Sequence, residues 1–181
     1  MTTPQPGDYF VTRTGGWIAA AIRWATNSTV NHAGIYVGHV DGYRKPQLVE
    51  ARPGGAGFRD ADAYPEAIWS TDRLPAPLRP SDGQRAAICA AARQSLGTPY
   101  GFWDIVAIAF AQKRLGSRVS VVKALHDQPW WVRRICSSRT EICSQAVSLA
   151  YTTAGINLYD DGRLPSLISP GDLLALLALL V

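Results

Sequence analysis

Asn31-His32-Ala33-Gly34-Ile35-Tyr36-Val37-Gly38 is an alternating segment that opens on an imidazole. With a period of two, Ala33, Ile35 and Val37 share one face, and His32, Gly34, Tyr36 and Gly38 share the other. The first face is uniformly apolar and predicts contact with a core. The second sets two glycines beside His32 and Tyr36, so little bulk surrounds the imidazole. Downstream, Asp41-Gly42 is a turn signal, and Gln47-Leu48-Val49-Glu50-Ala51 reads as the return strand of an antiparallel hairpin. A tight register in that hairpin sets Glu50 opposite His32, where its carboxylate would accept from Nδ1 and fix the tautomer.

Working outward, Gly7 to Arg13 reads as a further strand. Trp17 to Trp24 reads as a helix with Ile18, Ala21, Ile22 and Ala25 as its apolar stripe, ended by Thr26-Asn27-Ser28-Thr29. Arg52-Pro53-Gly54-Gly55-Ala56-Gly57 reads as a loop, and residues 67–74 as another strand. Ser81 with Gln84 three residues later predicts a capped helix running to Leu96. A second apolar helix is expected from Trp103 to about Arg114, and residues 110–135 as an insertion lying over the core or its groove. Cys143 to Ala154 reads as a helix closed by Gly155, and Ser169-Pro170 as the start of a terminal helix. Together these elements predict a single α+β domain, a small antiparallel sheet carrying His32 and Glu50 and packed on the helix headed by Cys143.

Bulk properties narrow the function. The chain has 181 residues, 47% of them hydrophobic, enough for one well-packed domain spanning 1–181. Charged residues make up 18%, too apolar a balance for a disordered chain. The net charge of +4 is spread over scattered arginines (Arg23, Arg73, Arg79, Arg93, Arg118), with one compact pair at Arg133-Arg134. Nucleic-acid binding would cluster them on one element, so no nucleic-acid partner is expected, and at most a weak attraction to anionic surfaces. The three cysteines, Cys89, Cys136 and Cys143, have no zinc-site spacing, and neither metal nor organic cofactor is expected. A Cys136–Cys143 disulfide stays open, but one thiol is always left over, which suits a reducing compartment. The first residues show no basic segment followed by an apolar core, and no apolar run is long enough to span a bilayer, so a cytoplasmic location is expected.

Cys143 stands at the start of its helix, where the partial positive charge favours a thiolate and backbone N–H groups can stabilise an oxyanion. With His32 it makes the two halves of a thiol-dependent acyl-transfer site, and Glu50 supplies a third, orienting group. Each has a plain structural alternative. Cys143 could be a small buried hydrophobe, His32 a satisfied core residue, and Glu50 a solvated charge at a strand end.

The setting of these residues adds weight. In order along the chain come Gly7-Asp8, the Asn31–Gly38 segment, Val49-Glu50-Ala51, Gly97-Thr98-Pro99-Tyr100-Gly101, Ile142-Cys143-Ser144 through Ala150-Tyr151 to Ala154-Gly155, and Ser169-Pro170-Gly171-Asp172-Leu173. This ordered set resembles the circularly permuted branch of the NlpC-type papain-like superfamily, the YiiX-like cysteine hydrolases. There the histidine strand precedes the cysteine helix. The resemblance covers nearly the whole chain except about 110–135.

It implies a papain-like fold with Cys143 as nucleophile, His32 as general base and acid, and Glu50 as orienting residue. Tyr100, Tyr36, Asn31 and Ser144 become candidates to touch substrate. Asp8 is first a turn residue and second a brace for the site. Implied substrates are amides, including peptides and cell-wall peptides, or esters, with lipid-linked examples among permuted relatives. Two other readings stay open. One is a ligand-binding module of the same fold without turnover. The other is a lipid-surface acyl hydrolase or acyltransferase held by Trp130-Trp131, Arg133-Arg134 and the Leu-rich tail. That tail could equally be a core helix, and Cys136 is a rival for the nucleophile.

Overall fold

The computed structural model describes residues 3–71, 73–99, 143–161 and 168–178. Its strands are β1 Tyr9–Thr12, β2 His32–Gly38, β3 Gln47–Arg52, β4 Gly55–Asp60 and β5 Ile68–Trp69. Its helices are numbered here as α1 Trp17–Thr26, α2 Asp82–Gln94, α3 Cys143–Thr153 and α4 Pro170–Ala178. The strands form one antiparallel sheet in the order β4-β3-β2-β1-β5. The chain is thus α+β, with β2, the strand that His32 opens, at the centre of the sheet. The expected helix at 103–114, the segment 110–135, Tyr100 and Cys136 lie outside the described residues.

Alternation in β2 sorts the two faces. Ala33, Ile35 and Val37 join Tyr9, Val11 and Val49 in the main core, against Ile88 and Ala92 of α2 and Val147, Ala150 and Tyr151 of α3. The other face carries aromatic rings. Phe10 stacks on Tyr64 at 5.3 Å and touches Trp69 at 5.4 Å, and Tyr36 meets Trp69 edge-on at 5.8 Å. Gly34 makes this possible, since a Cβ there would come within 2.7 Å of the Phe10 ring and 2.9 Å of the Val49 carbonyl. The carbonyl belongs to the neighbouring strand and cannot yield. Gly34→Ala should therefore destabilise the fold by about 1–3 kcal/mol, the usual result of overpacking. Urea unfolding checks it; an unchanged midpoint would mean that β2 and β3 separate easily here.

Helix ends follow their local chemistry. Ser81 and Gln84 form a reciprocal capping box at the start of α2. Asn27 ends α1 in the left-handed region, φ 47°, a conformation asparagine tolerates. Gly155, φ 78°, closes α3. Ser169 accepts from the Asp172 N–H at 3.2 Å, while the Asp172 carboxylate accepts from Ser169 N at 2.8 Å, capping α4.

The Leu-rich tail is a core helix in its described part. Leu173, Leu176 and Leu177 are buried on one stripe of α4, and the Leu173 carbonyl accepts from Tyr9 Oη at 3.0 Å. Those leucines are therefore not a membrane anchor.

Three expectations need correction. Residues 52–57 are not a loop: Gly54 and Gly55, at φ 108° and 113°, turn the chain at once, and β4 pairs with β3 from Arg52↔Gly55 onward. The glycines that suggested a loop are what allow so tight a reversal. Within 67–74, strand pairing is confined to Ile68–Trp69, because Ser70 and Thr71 turn their hydroxyls to Tyr9 N and the Asp8 carboxylate. In the expected stripe of α1, Ile22 is buried but Ala21 faces outward and Ala19 is buried instead, while the side chains of Ile18 and Ala25 lie outside those described.

Candidate active site

The hairpin register differs by two residues from the expected one. Ile35 faces Val49 and Tyr36 faces Leu48, with an irregularity between Tyr36 and Gly38. Carried along the strands, this register sets Glu50 beside Gly34 and Arg52 beside His32. A shift of two keeps every side chain on its face, so Glu50 still lies diagonally within reach of the imidazole. Its Oε2 accepts from His32 Nε2 at 2.8 Å. The nitrogen that meets the carboxylate is Nε2, not Nδ1 as the sequence suggested, and this leaves Nδ1 for a different partner.

The second partner of the ring is Cys143. Helix α3 packs against β2 and β3, and its first residue, Cys143, sits with Ala51 and Ala56, where its thiol makes a hydrogen bond with the His32 ring. Two segments remote in sequence thus meet in a chain running Cys143–His32–Glu50. All three residues are buried, at 3%, 7% and 1% exposure. Cys143 is a free cysteine.

Burial disfavours the imidazolium, yet the contacts with Cys143 and Glu50 more than offset it and hold His32 up at about 9. Burial likewise pushes Glu50 up, but hydrogen bonding to His32, with help from Tyr64 and Arg52, brings it below the usual carboxylate range. Two groups that the sequence reading missed complete the surroundings of Glu50. Tyr64 Oη donates to Oε1 at 3.2 Å, and Arg52 Nε lies 2.8 Å from the same oxygen. A fully buried carboxylate with two hydrogen-bond partners and an arginine in ion-pair contact is satisfied in the way burial of a charge demands. Arg52 had a signal in the sequence, because it lies two residues beyond Glu50 and shares its face. Tyr64 had none, since it arrives from a loop after the 3-10 turn Ala61–Ala63.

The site opens on one side to a cleft of about 320 Å³, lined among others by Thr14, Trp17, Asn31, His32, Arg52 and Tyr64. Asn31 reaches it, but its amide is already engaged. It donates to Thr14 Oγ1 at 2.6 Å and accepts from Thr14 N at 3.0 Å and Arg23 at 2.6 Å. The arrangement pins the loop before α1 to the start of β2. Tyr36 and Ser144 do not line this cleft. Tyr36 lies against Trp69, and the Ser144 hydroxyl donates to the Ile168 carbonyl at 2.5 Å, a bond that ties α3 to the segment before α4. Asp8 is a brace elsewhere, accepting from Gln5 N, Thr71 and Arg85 and so fastening the first turn to α2. Among the described residues, no group of three or more His, Cys, Asp or Glu side chains is arranged to hold a metal ion, and no helix is long and apolar enough to cross a membrane.

These features define the chain at the level of class: an α+β protein whose antiparallel sheet and helix start bring together a buried thiol, imidazole and carboxylate. No protein-family model matches the chain, and no curated protein matches it.

Proposed function

We propose that this protein is a cysteine hydrolase of the permuted NlpC-type papain-like kind, cleaving amide or ester bonds through a covalent thioester. The observation that carries this reading is that one buried imidazole is in hydrogen-bonding contact with both the Cys143 thiol and the Glu50 carboxylate. An imidazole held between a thiol and a carboxylate is oriented, fixed in tautomer and able to keep a proton, as general acid–base catalysis requires.

In the first half-reaction the Cys143 sulfur, its proton passed to His32 Nδ1, attacks the carbonyl carbon. A carbon–sulfur bond forms, and the carbonyl electron pair moves to oxygen. When that pair returns, the bond to the leaving nitrogen or oxygen breaks, and Nδ1–H protonates the leaving group. Water then attacks the thioester and gives a proton to Nδ1, and the sulfur departs to regain it. Glu50 stabilises the imidazolium in each half, and Tyr64 and Arg52 hold Glu50 in place. Peptides, including cell-wall peptides, are the expected amide substrates, and lipid-linked esters the expected alternative.

The test is site-resolved alkylation by iodoacetamide, followed by peptide mass spectrometry. Native protein should react fastest at Cys143. A Cys143→Ala protein should lose that fast reaction, and Cys136→Ala should keep it. Equal labelling of the two variants would remove Cys143 as the nucleophile.

A further inference from the structure

The cleft beside His32 has one charged side chain whose hydrogen-bonding capacity is largely unspent. Arg52 is fixed at its inner end, with Nε 2.8 Å from Glu50 Oε1, while its side chain remains 40% exposed and lines the cleft. A guanidinium carries five N–H donors in a planar fork. Glu50 engages it at Nε, and among the described residues the Nη groups meet no acceptor. Anchoring at Nε removes much of the rotational freedom an exposed arginine would otherwise lose on binding, so the outer donors are preorganised.

The rest of the cleft supports the same sign of charge. No Asp or Glu is among the described residues that line it, and much of its wall is apolar: Trp17, Ala19, Ile22, Ala51 and Pro53. A charged donor pair set in an apolar wall interacts more strongly with an anion than it would in open water. The cleft is also lined by Gly15, Gly16 and the start of α1, whose first turn has no acidic residue and whose Gly16 provides no side-chain cap. That helix end adds potential of the same sign, although it would not hold a ligand by itself.

We infer that the cleft is a subsite for an oxyanion group, a carboxylate or a phosphate, gripped by the Nη fork of Arg52 while the carbonyl to be cleaved lies at Cys143 and His32. This inference rests on the proposed acyl-transfer reading and narrows its substrates to anionic amides or esters. A planar carboxylate or a phosphate matches the two parallel donors of the fork, whereas a neutral or cationic group would leave them unpaired. The same arginine would then serve twice, holding Glu50 on one side and reading the substrate's charge on the other.

The experiment is a ¹H–¹⁵N NMR titration of the full chain with sodium phosphate, sodium acetate or sodium chloride at matched ionic strength. The signals followed are Arg52 Nε–H and the backbone amides of Ala51 and Gly16. Saturable shifts with phosphate alone would identify a phosphate group, and with acetate alone a carboxylate. Shifts with both would support the shared oxyanion chemistry. Chloride should leave the signals in place. In Arg52→Gln the amide shifts should vanish, and in Arg52→Lys, which keeps the charge without the fork, they should weaken. Absence of saturable shifts with either oxyanion, or shifts that persist in Arg52→Gln, would overturn the inference. Binding needs no reactive sulfur, so the Cys143→Ala protein should titrate like the native one. Anion binding without alkylation at Cys143 would count against the nucleophile and leave the subsite standing.

Discussion

Replacing Cys143 with alanine should lower the His32 imidazole from about 9 back toward its ordinary value. Burial alone would push this ring below 6.5; contacts with Cys143 and Glu50 reverse that. The hydrogen bond to Cys143 is the largest of the raising effects, and Cys143 contributes a charge–charge effect as well. Alanine removes both and leaves Glu50 to hold the imidazolium, with Arg52 already competing for the same carboxylate. The measurement is long-range ¹H–¹⁵N NMR of the imidazole across a pH titration, with His32→Gln used to assign the signal. An imidazole that titrates at the same pH with and without the sulfur would show that thiol and ring do not share a proton. The proposed mechanism would then lose its first step.

Glu50→Gln should have the second large effect, on reactivity and stability together. The Glu50 carboxylate contacts His32, Tyr64 and Arg52 together. Glutamine keeps the size but removes the charge, so Arg52 loses its counter-ion and the imidazolium its stabilising anion. Alkylation of Cys143 near neutral pH should fall by roughly 10²-fold or more, as expected when the orienting carboxylate of a triad is neutralised. Stability should drop by about 3 kcal/mol, the low end for breaking a buried ion pair, because Arg52 can turn toward solvent.

The pH profile gives this prediction its sign. Glu50 is lowered in the folded state, so its stabilisation is present above the ordinary value of 4.5 and is lost as pH falls through the lower folded value. His32 is raised, so its stabilisation is complete below 6.5 and is lost as pH rises through about 9. Native protein should therefore be most stable between 4.5 and 6.5 as far as these two groups are concerned. Glu50→Gln should flatten the acid limb. Urea unfolding at a series of pH values reads both effects. A variant with native midpoint and native acid limb would mean that Glu50 carries no charge of consequence.

Much of the architecture was open to a reading of residues alone because it depends on local periodicity. The alternation Ala33, Ile35, Val37 identified the core face of β2, and Ser81 with Gln84 and Ser169 with Pro170 marked two helix starts. The hairpin from β2 to β3 followed from Asp41-Gly42. In contrast, β4 was missed, because Gly54-Gly55-Ala56-Gly57 lacks the apolar alternation of a strand. Its pairing is dictated by β3 rather than by its own side chains. The same limit explains the short β5, where Ser70 and Thr71 serve Tyr9 and Asp8 instead of extending the ladder.

The candidate site divides along the same line. Which residues could carry chemistry, His32 on a strand, Glu50 on the strand returning beside it and Cys143 on a helix, was legible from residue type and position. Their alignment was not. A register displaced by two residues keeps Glu50 on the His32 face but brings it to Nε2. Tyr64 and Arg52 then become its further partners.

The faces of the strands, the capped helices and the short list of reactive groups are legible in the residues alone, because these follow from interactions between near neighbours along the chain. Three-dimensional packing was needed to reveal that Glu50 meets Nε2, that Ser144 is spent on Ile168, and that Arg52 links the buried carboxylate to an open cleft. Those outcomes depend on how α3 and the loop bearing Tyr64 pack against the sheet, and long-range packing leaves no period to read in a single chain.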